Sequence, residues 1–272
     1  MTRLRLATFN ILSGRSLSDL RADPRTLIDA VATLEADVIA LQEVDRNQDR
    51  SMGSDQAALA AEALGTGSGS GGGGYRFVAT VHGTPGRRGW VPAPGPESPG
   101  TAAYGIALVS RLPVRQWAVL RLGGMPGRYP VISPGPRPRV VWLRDEPRAA
   151  VAAVLAEPRM TLACAHLSFV PGRNAVQLRR LTRWLRTLPG PRILLGDLNL
   201  PDGLPARLTG WTPLVDAPTF PSQAPRLQLD HVLAHDLPDG ATVTDAGAVR
   251  LPISDHRAAF ATLHLPHPAV IM

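Results

Sequence analysis

The stretch that most limits what this chain can become is Arg192 to Asn199, Arg-Ile-Leu-Leu-Gly-Asp-Leu-Asn, an apolar run with room for one strand that ends abruptly in Gly196, Asp197 and Asn199. Ile193, Leu195 and Asp197 share one parity, so in an extended chain they lie on one face, which changes from apolar to carboxylate at the strand end. Open α/β sheets commonly present chemistry in this way. Gly-Asp and Asp-x-Asn are also ordinary turn residues. Their meaning therefore depends on whether other strands end alike.

The chain is long enough, at 272 residues, to bury a full core. No run approaches the roughly 20 apolar residues of a membrane span, so no transmembrane segment is expected. Met1 to Asn10 enters an alternating strand pattern at once, without the apolar core of an export signal. Cys164 is the only cysteine, which excludes an intramolecular disulfide and a cysteine-based zinc cage and fits a cytoplasmic location. The net charge is +7 and all 29 basic residues are arginine. That charge suits a phosphate-rich partner as readily as it reflects a compositional bias.

Taken in order, Leu4, Leu6, Thr8 and Asn10 line one face of a first strand. Asp23-Pro24 then opens a helix over about residues 24–35. The continuous apolar run Val38 to Leu41 reads as a strand covered on both sides and leads to Glu43. Ser54 and Gly65 bracket an alanine-rich helix, Asp55 to Leu64. The glycine tract at 66–74 has no phosphate-loop lysine and reads as a flexible insertion. Residues 82–103 read as a second insertion, a long surface loop whose Arg87, Arg88 and Trp90 could clamp phosphate and stack a base.

Strands then follow at Tyr75 to Val81, Tyr104 to Ser110, Val114 to Leu120, Val140 to Leu143, Ala149 to Leu155 and Met160 to His166. Asn174 to Leu188 is an amphipathic helix with Leu178, Leu181, Leu185 and Leu188 on one face. Beyond Asn199 come proline-rich loops, a strand from Leu227 to Ala234 interrupted by Asp230, then Ser254-Asp255-His256 and a last strand from Ala258 to Leu265. One domain across 1–272 is expected.

Asn10, Glu43, His166, Asp197, Asn199, Asp230, Asp255 and His256 nearly all fall at or beside strand ends. Carboxylates and carboxamides suit a hard cation such as Mg²⁺, which prefers oxygen ligands. Imidazoles can move protons. Attack on a phosphoester needs an activated water, charge neutralisation at the phosphoryl oxygens and help for the leaving oxygen, and this set can meet all three needs.

The ordered series Thr8-Phe9-Asn10-Ile11, Leu41-Gln42-Glu43-Val44, His166-Leu167, Gly196-Asp197-Leu198-Asn199, Asp230-His231 and Ser254-Asp255-His256 resembles the endonuclease/exonuclease/phosphatase superfamily over residues 4–265. The resemblance implies a DNase I-like four-layer α/β/β/α sandwich, two mixed sheets flanked by helices, with the active site at one edge. By the same resemblance Glu43 is the principal Mg²⁺ ligand, with Asn10 close by and Asp255 assisting, and Mn²⁺ is a substitute. Asp197 orients or deprotonates the attacking water, and Asn199 and Arg148 hold the phosphate. His256 is general base or transition-state donor, and Asp230 pairs with His256 or His166.

Some positions depart from the family pattern or sort within it. Tyr104-Gly105-Ile106 stands where relatives often have Gly-Asn. His166, where abasic-site endonucleases tend to use tyrosine, points away from dedicated abasic-site repair. Thr219-Phe220-Pro221 looks like the generic bacterial members. The implied function is a metal-dependent hydrolase of a phosphate ester, foremost a nuclease or phosphodiesterase acting on DNA or RNA. A phospholipid or sugar-phosphate phosphatase is the alternative within the superfamily, and a non-catalytic binding module that kept the fold is the alternative outside it.

Overall fold

Several strands bury every position, Ala103–Ser110 and Arg148–Leu155 among them, and a strand without a polar face needs cover on both sides. In the computed structural model, which describes residues 1–66, 73–86, 89–93, 95, 100–133 and 139–266, that cover comes from a second sheet on one side and helices on the other. Residues 67–72 of the glycine tract and the Arg87-Arg88 pair lie outside the described residues.

The first sheet runs β14 (Thr242–Val249), β15 (Ala258–Leu265), β1 (Thr2–Asn10), β2 (Val38–Arg46), β5 (Ala103–Ser110), β3 (Gly74–His82) and β4 (Val91–Pro92). The second runs β12 (Thr212–Pro213), β13 (Asp230–His235), β11 (Arg192–Asp197), β10 (Thr161–His166), β9 (Arg148–Leu155) and β6 (Val114–Leu122). A separate ribbon pairs β7 (Arg128–Ser133) with β8 (Arg139–Arg144). Both large sheets are mixed: β1–β2 and β10–β11 are parallel, whereas β1–β15, β2–β5, β9–β10 and β11–β13 are antiparallel.

Strand alternation divides the core into three layers of side chains. Leu4, Leu6, Val38 and Ala40 of the first sheet meet Leu162, Cys164, Ile193 and Leu195 of the second. The opposite face of the first sheet, with Phe9, Ile39 and Leu41, packs on Leu27 and Val31 of α1 (Pro24–Ala32) and on Ala57 and Ala60 of α2 (Gln56–Ala63). The outer face of the second, with Ala163, Ala165 and Leu194, packs on Leu178, Leu181 and Leu185 of α3 (Arg173–Leu185) and on Leu204 of α4 (Leu204–Thr209). The result is the expected α/β/β/α sandwich. Cys164 is a small buried group whose Sγ donates to the Leu41 carbonyl across the two sheets.

Helix ends follow their capping residues. Asp23 accepts from the Thr26 amide ahead of Pro24 in the first helical turn. Asp55, rather than the expected Ser54, caps α2 by accepting from the Ala57 and Ala58 amides. α1 stops at Ala32 because Glu35 turns left-handed at φ 49°. The proline-rich region after Asn199 contains α4 and β12. Asp230 opens its strand instead of interrupting it. β7 and β14 were not foreseen: β14, Thr-Val-Thr-Asp-Ala-Gly-Ala-Val, is an edge strand with no buried position and hence no apolar alternation. Among the described residues no helix is long and apolar enough to cross a membrane.

Gly196 stands where β11 presses on β10, and a Cβ there would lie 2.0 Å from the Ala165 carbonyl oxygen. Gly196→Ala is expected to cost about 3 kcal/mol, the upper range for overpacking, whereas Asp55→Ala costs about 1 kcal/mol through the lost cap. Urea unfolding of the two variants beside the parent checks the order, and equal midpoints would contradict it.

Candidate active site

Strand register gathers the polar strand ends at one place. Parallel pairing sets Asn10 of β1 opposite Gln42 of β2, and His166 of β10 opposite Asp197 of β11. Antiparallel pairing sets Asp230 of β13 opposite Asp197. β1 and β11 pack across the sandwich, so two groups of strand ends from different sheets meet. His256 arrives from the loop before β15. Ser254, at φ 74°, anchors that loop by donating from Oγ to the Asn10 carbonyl at 2.5 Å and accepting from the His256 amide at 3.0 Å.

Glu43 reaches the cleft through a β-bulge. Pairing with β5 skips from Gln42 to Val44, and Glu43 takes φ 56° as the extra residue. Bulges re-aim a side chain at the expense of local strain. Asn10 Nδ2 then donates to Glu43 Oε1 at 3.1 Å and to Asp197 Oδ2 at 3.0 Å. The other Asp197 oxygen accepts from the Asn199 amide at 3.0 Å, and Asn199 Nδ2 donates to the Leu167 carbonyl.

His256 Nδ1 lies 2.8 Å from Asp230 Oδ2, so the carboxylate fixes this ring and leaves Nε2 facing Asp197 Oδ2 at 3.9 Å. Phe220 packs on the same imidazole, ring centroids 4.9 Å apart. His166 Nε2 approaches Asp197 Oδ2 at 3.5 Å. Asn10, Glu43, His166, Asp197 and His256 line a cleft of about 600 Å³ with Arg148, Glu146, Tyr104 and Asn199. Arg148 is 6% exposed, and its Nε has no hydrogen-bond partner within the protein.

Burial and charge push the two imidazoles apart. Burial depresses His166 well below the usual histidine range, and the Arg148 and His256 charges add to this, so it is neutral at pH 7. Burial would also depress His256, but Asp230, by charge and hydrogen bond, then Asp197 and Asp255 push it up to about 10. His256 is therefore a cation. Burial raises Asp197 against the opposing His256 charge. Glu43 is raised by burial, then by Asp255 and Asp197, and Glu146 is raised by burial to about 7 although Arg148 opposes it.

That accumulation of raised carboxyls fits a bound cation. Glu43 carries concentrated negative charge at the cleft, and carboxylate oxygens suit a hard divalent ion. Ligand atoms of Asp197, Asp230 and His256 also lie within 4.8 Å of one another. The protonated imidazole, held by Asp230, makes that trio a poorer cation cage than the surroundings of Glu43.

A sequence model of the Endonuclease/Exonuclease/phosphatase family matches residues 7–256, from β1 to the imidazole that Asp230 holds. The chain belongs to this family. The fold of the endonuclease/exonuclease/phosphatase from Beutenbergia cavernae DSM 12333 is similar, with TM-score 0.62 and 18% identity over 97% of this chain and 72% of that one. A family protein from Leptotrichia buccalis C-1013-b aligns with TM-score 0.64 and 14% identity, covering 96% and 100%. Sphingomyelinase C from Streptomyces griseocarneus shares the fold with TM-score 0.56 and 16% identity, covering 96% and 99%. No curated protein gives a significant sequence match.

Of the residues expected at the site, Asn10, Glu43, Arg148, His166, Asp197, Asn199 and His256 line the cleft of this family member, and Asp230 stands behind His256. Asp255 is set back, its backbone carbonyl accepting from the Ser222 amide, and acts on Glu43 through its charge. His231 turns away to the Leu200 carbonyl. Glu146, Ser254 and the cleft-lining Arg128, Trp142 and Arg144 were not singled out as site residues. Glu146 lies next to Pro147 and Arg148, which could have drawn attention to it, whereas Ser254 has no signal beyond its place in Ser-Asp-His.

The raised His256 imidazole stabilises the fold most fully below about pH 6.5, and that contribution is lost as pH rises through about 10. NMR titration of His256 is expected to show a protonated ring past pH 8 in the parent and a marked downward shift in Asp230→Asn. Unchanged titration in that variant would contradict the pairing.

Proposed function

We propose that this chain is a metal-dependent phosphoester hydrolase that cleaves a P–O bond with an activated water, and within that class a nuclease or phosphodiesterase. The observation that carries the reading is the Asp230–His256 pair beside Asp197, facing a buried arginine across one cleft. Family membership supports phosphoester hydrolysis, and the net charge of +7 favours a polyanionic substrate.

Glu43 would hold a divalent cation such as Mg²⁺, or Mn²⁺ in its place, with Asp255 adding negative charge and Asn10 alongside. Asn10 Oδ1 accepts from the Leu12 amide and keeps a second lone pair for the ion. When bound, such an ion neutralises charge on the phosphoryl oxygens as a Lewis acid.

The chain's own groups would divide the remaining work. Asp197, held by the Asn10 side chain and the Asn199 amide, orients the attacking water and accepts its proton. Arg148 and Asn199 receive the phosphate. His256, protonated and held by Asp230, donates from Nε2 to oxygen that gains charge in the transition state. That charge state favours the donor role over the general-base role. Neutral His166 stands 3.5 Å from the same Asp197 oxygen that His256 faces.

Purified protein is expected to hydrolyse bis(p-nitrophenyl) phosphate with Mg²⁺ or Mn²⁺ and to stop in EDTA. Asp197→Asn and His256→Ala are each expected to lower the rate about 100-fold or more, the usual scale for a proton-transfer group. Activity that survives EDTA, or that neither substitution changes, would sink the mechanism. A parallel panel of DNA, RNA, sphingomyelin and inositol phosphates separates the nuclease from a phospholipid or sugar-phosphate phosphatase, and no turnover of any would leave a binding module.

A further inference from the structure

One wall of the cleft is made of groups that this chemistry does not use. Arg128, Trp142 and Arg144 of the β7–β8 ribbon line it together with Trp90, just ahead of β4. The register sets Arg128 opposite Arg144 and Pro130 opposite Trp142, so both arginines and the indole share one face of the ribbon. Trp142 is 60% exposed and Val140 62%, large apolar groups left in water beside a polar site. Arg144, two residues along from Trp142, lies over the Trp90 ring with its guanidinium carbon 5.3 Å from the centroid. The wall therefore interleaves flat π-faces with guanidinium charge.

We propose that this wall is a stacking platform for the unpaired bases of a single-stranded nucleic acid whose phosphodiester lies over Asp197 and His256. The proposal rests on the phosphoesterase reading of the same cleft and names the form of substrate it takes. Interleaved aromatic and basic side chains match a strand that alternates flat bases with phosphates, and stacking tolerates any base because each has a π-face. Bases inside a duplex are already stacked and paired, so only unpaired ones can lie against Trp90 and Trp142. A cleft of about 600 Å³ is the size of a small-molecule pocket, room for a splayed nucleotide. A phospholipid headgroup brings phosphate but no flat ring, and would leave the Trp90–Arg144 stack without a counterpart.

The test is fluorescence anisotropy with the full chain in EDTA, so that no probe is consumed. The probes are fluorescein-labelled decathymidylate, decauridylate, a decamer of abasic sites with equal charge, and a blunt duplex. The parent is expected to bind a base-bearing single strand about five-fold or more tighter than the abasic strand, the lower end of stacking by one base, and tighter than the duplex. Trp142→Ala and Trp90→Ala should each erode that preference while Trp142→Phe keeps most of it, with thermal melts confirming that the variants fold. Equal affinity of the parent for base-bearing and abasic strands overturns the proposal, as does a preference that survives both alanine variants. Trp142-dependent binding to phosphatidylserine vesicles without any base preference also overturns it and assigns the ribbon to a lipid surface. Hydrolysis of bis(p-nitrophenyl) phosphate by the parent is scored separately: its absence removes the phosphoesterase reading, whereas base preference in EDTA decides the platform alone.

Discussion

The carboxamide of Asn10 is the contact on which the geometry of the cleft depends. From the end of β1 it donates to Glu43 in its own sheet and to Asp197 in the opposite sheet, so one side chain ties the two halves of the sandwich at the point where chemistry is placed. Hydrogen bonds to charged groups contribute about 1.5–3 kcal/mol each. Here they hold two carboxylates close together that would otherwise repel. The Asn10 carbonyl is tied in turn by Ser254, which carries His256. Glu43, Asp197 and His256 thus share one anchoring residue.

Around that anchor the protein sorts its titratable groups by surroundings. Burial depresses both histidines of the cleft, but one has a carboxylate within hydrogen-bond distance that overcomes it, whereas the other has only Arg148 and His256 adding to it, so the two take opposite charge states. Groups of one type driven apart in this way can take different roles in acid–base chemistry. The carboxyls move the other way: Glu43, Asp197 and Glu146 are raised by burial and, in part, by each other. Folding thus crowds carboxyl groups at the cleft, an arrangement that suits a cation.

Much of this was legible from residue order. Asp23-Pro24, Leu178-Leu181-Leu185 and the strand ends at Asn10, His166 and Asp197 each carry a local signal, a cap, a helical period or a change from apolar to polar, and each lies where that signal put it. β14 escaped because an edge strand that is mostly exposed, with only its last residues half-buried, needs no alternation. β7 escaped because its partner, β8, supplies the pairing and Pro130 argues against a strand. Glu43 was legible as a residue but not as a bulge, since no residue type marks that site as left-handed. The partner of Asp230 was open for a similar reason: both imidazoles were possible until the distance across 26 residues was known.

By itself, the sequence determined which polar residues stand at the strand ends and that the strands need cover on both faces, because residue type and apolar pattern are local properties that no packing can alter. Tertiary structure decided what those residues became. Register brought six separated strand ends and loops together, burial and neighbouring charge gave each imidazole its proton or took it away, and the β7–β8 ribbon set Trp142, Arg128 and Arg144 along the same cleft. These are properties of distance and desolvation, which arise when residues far apart in the chain are brought together.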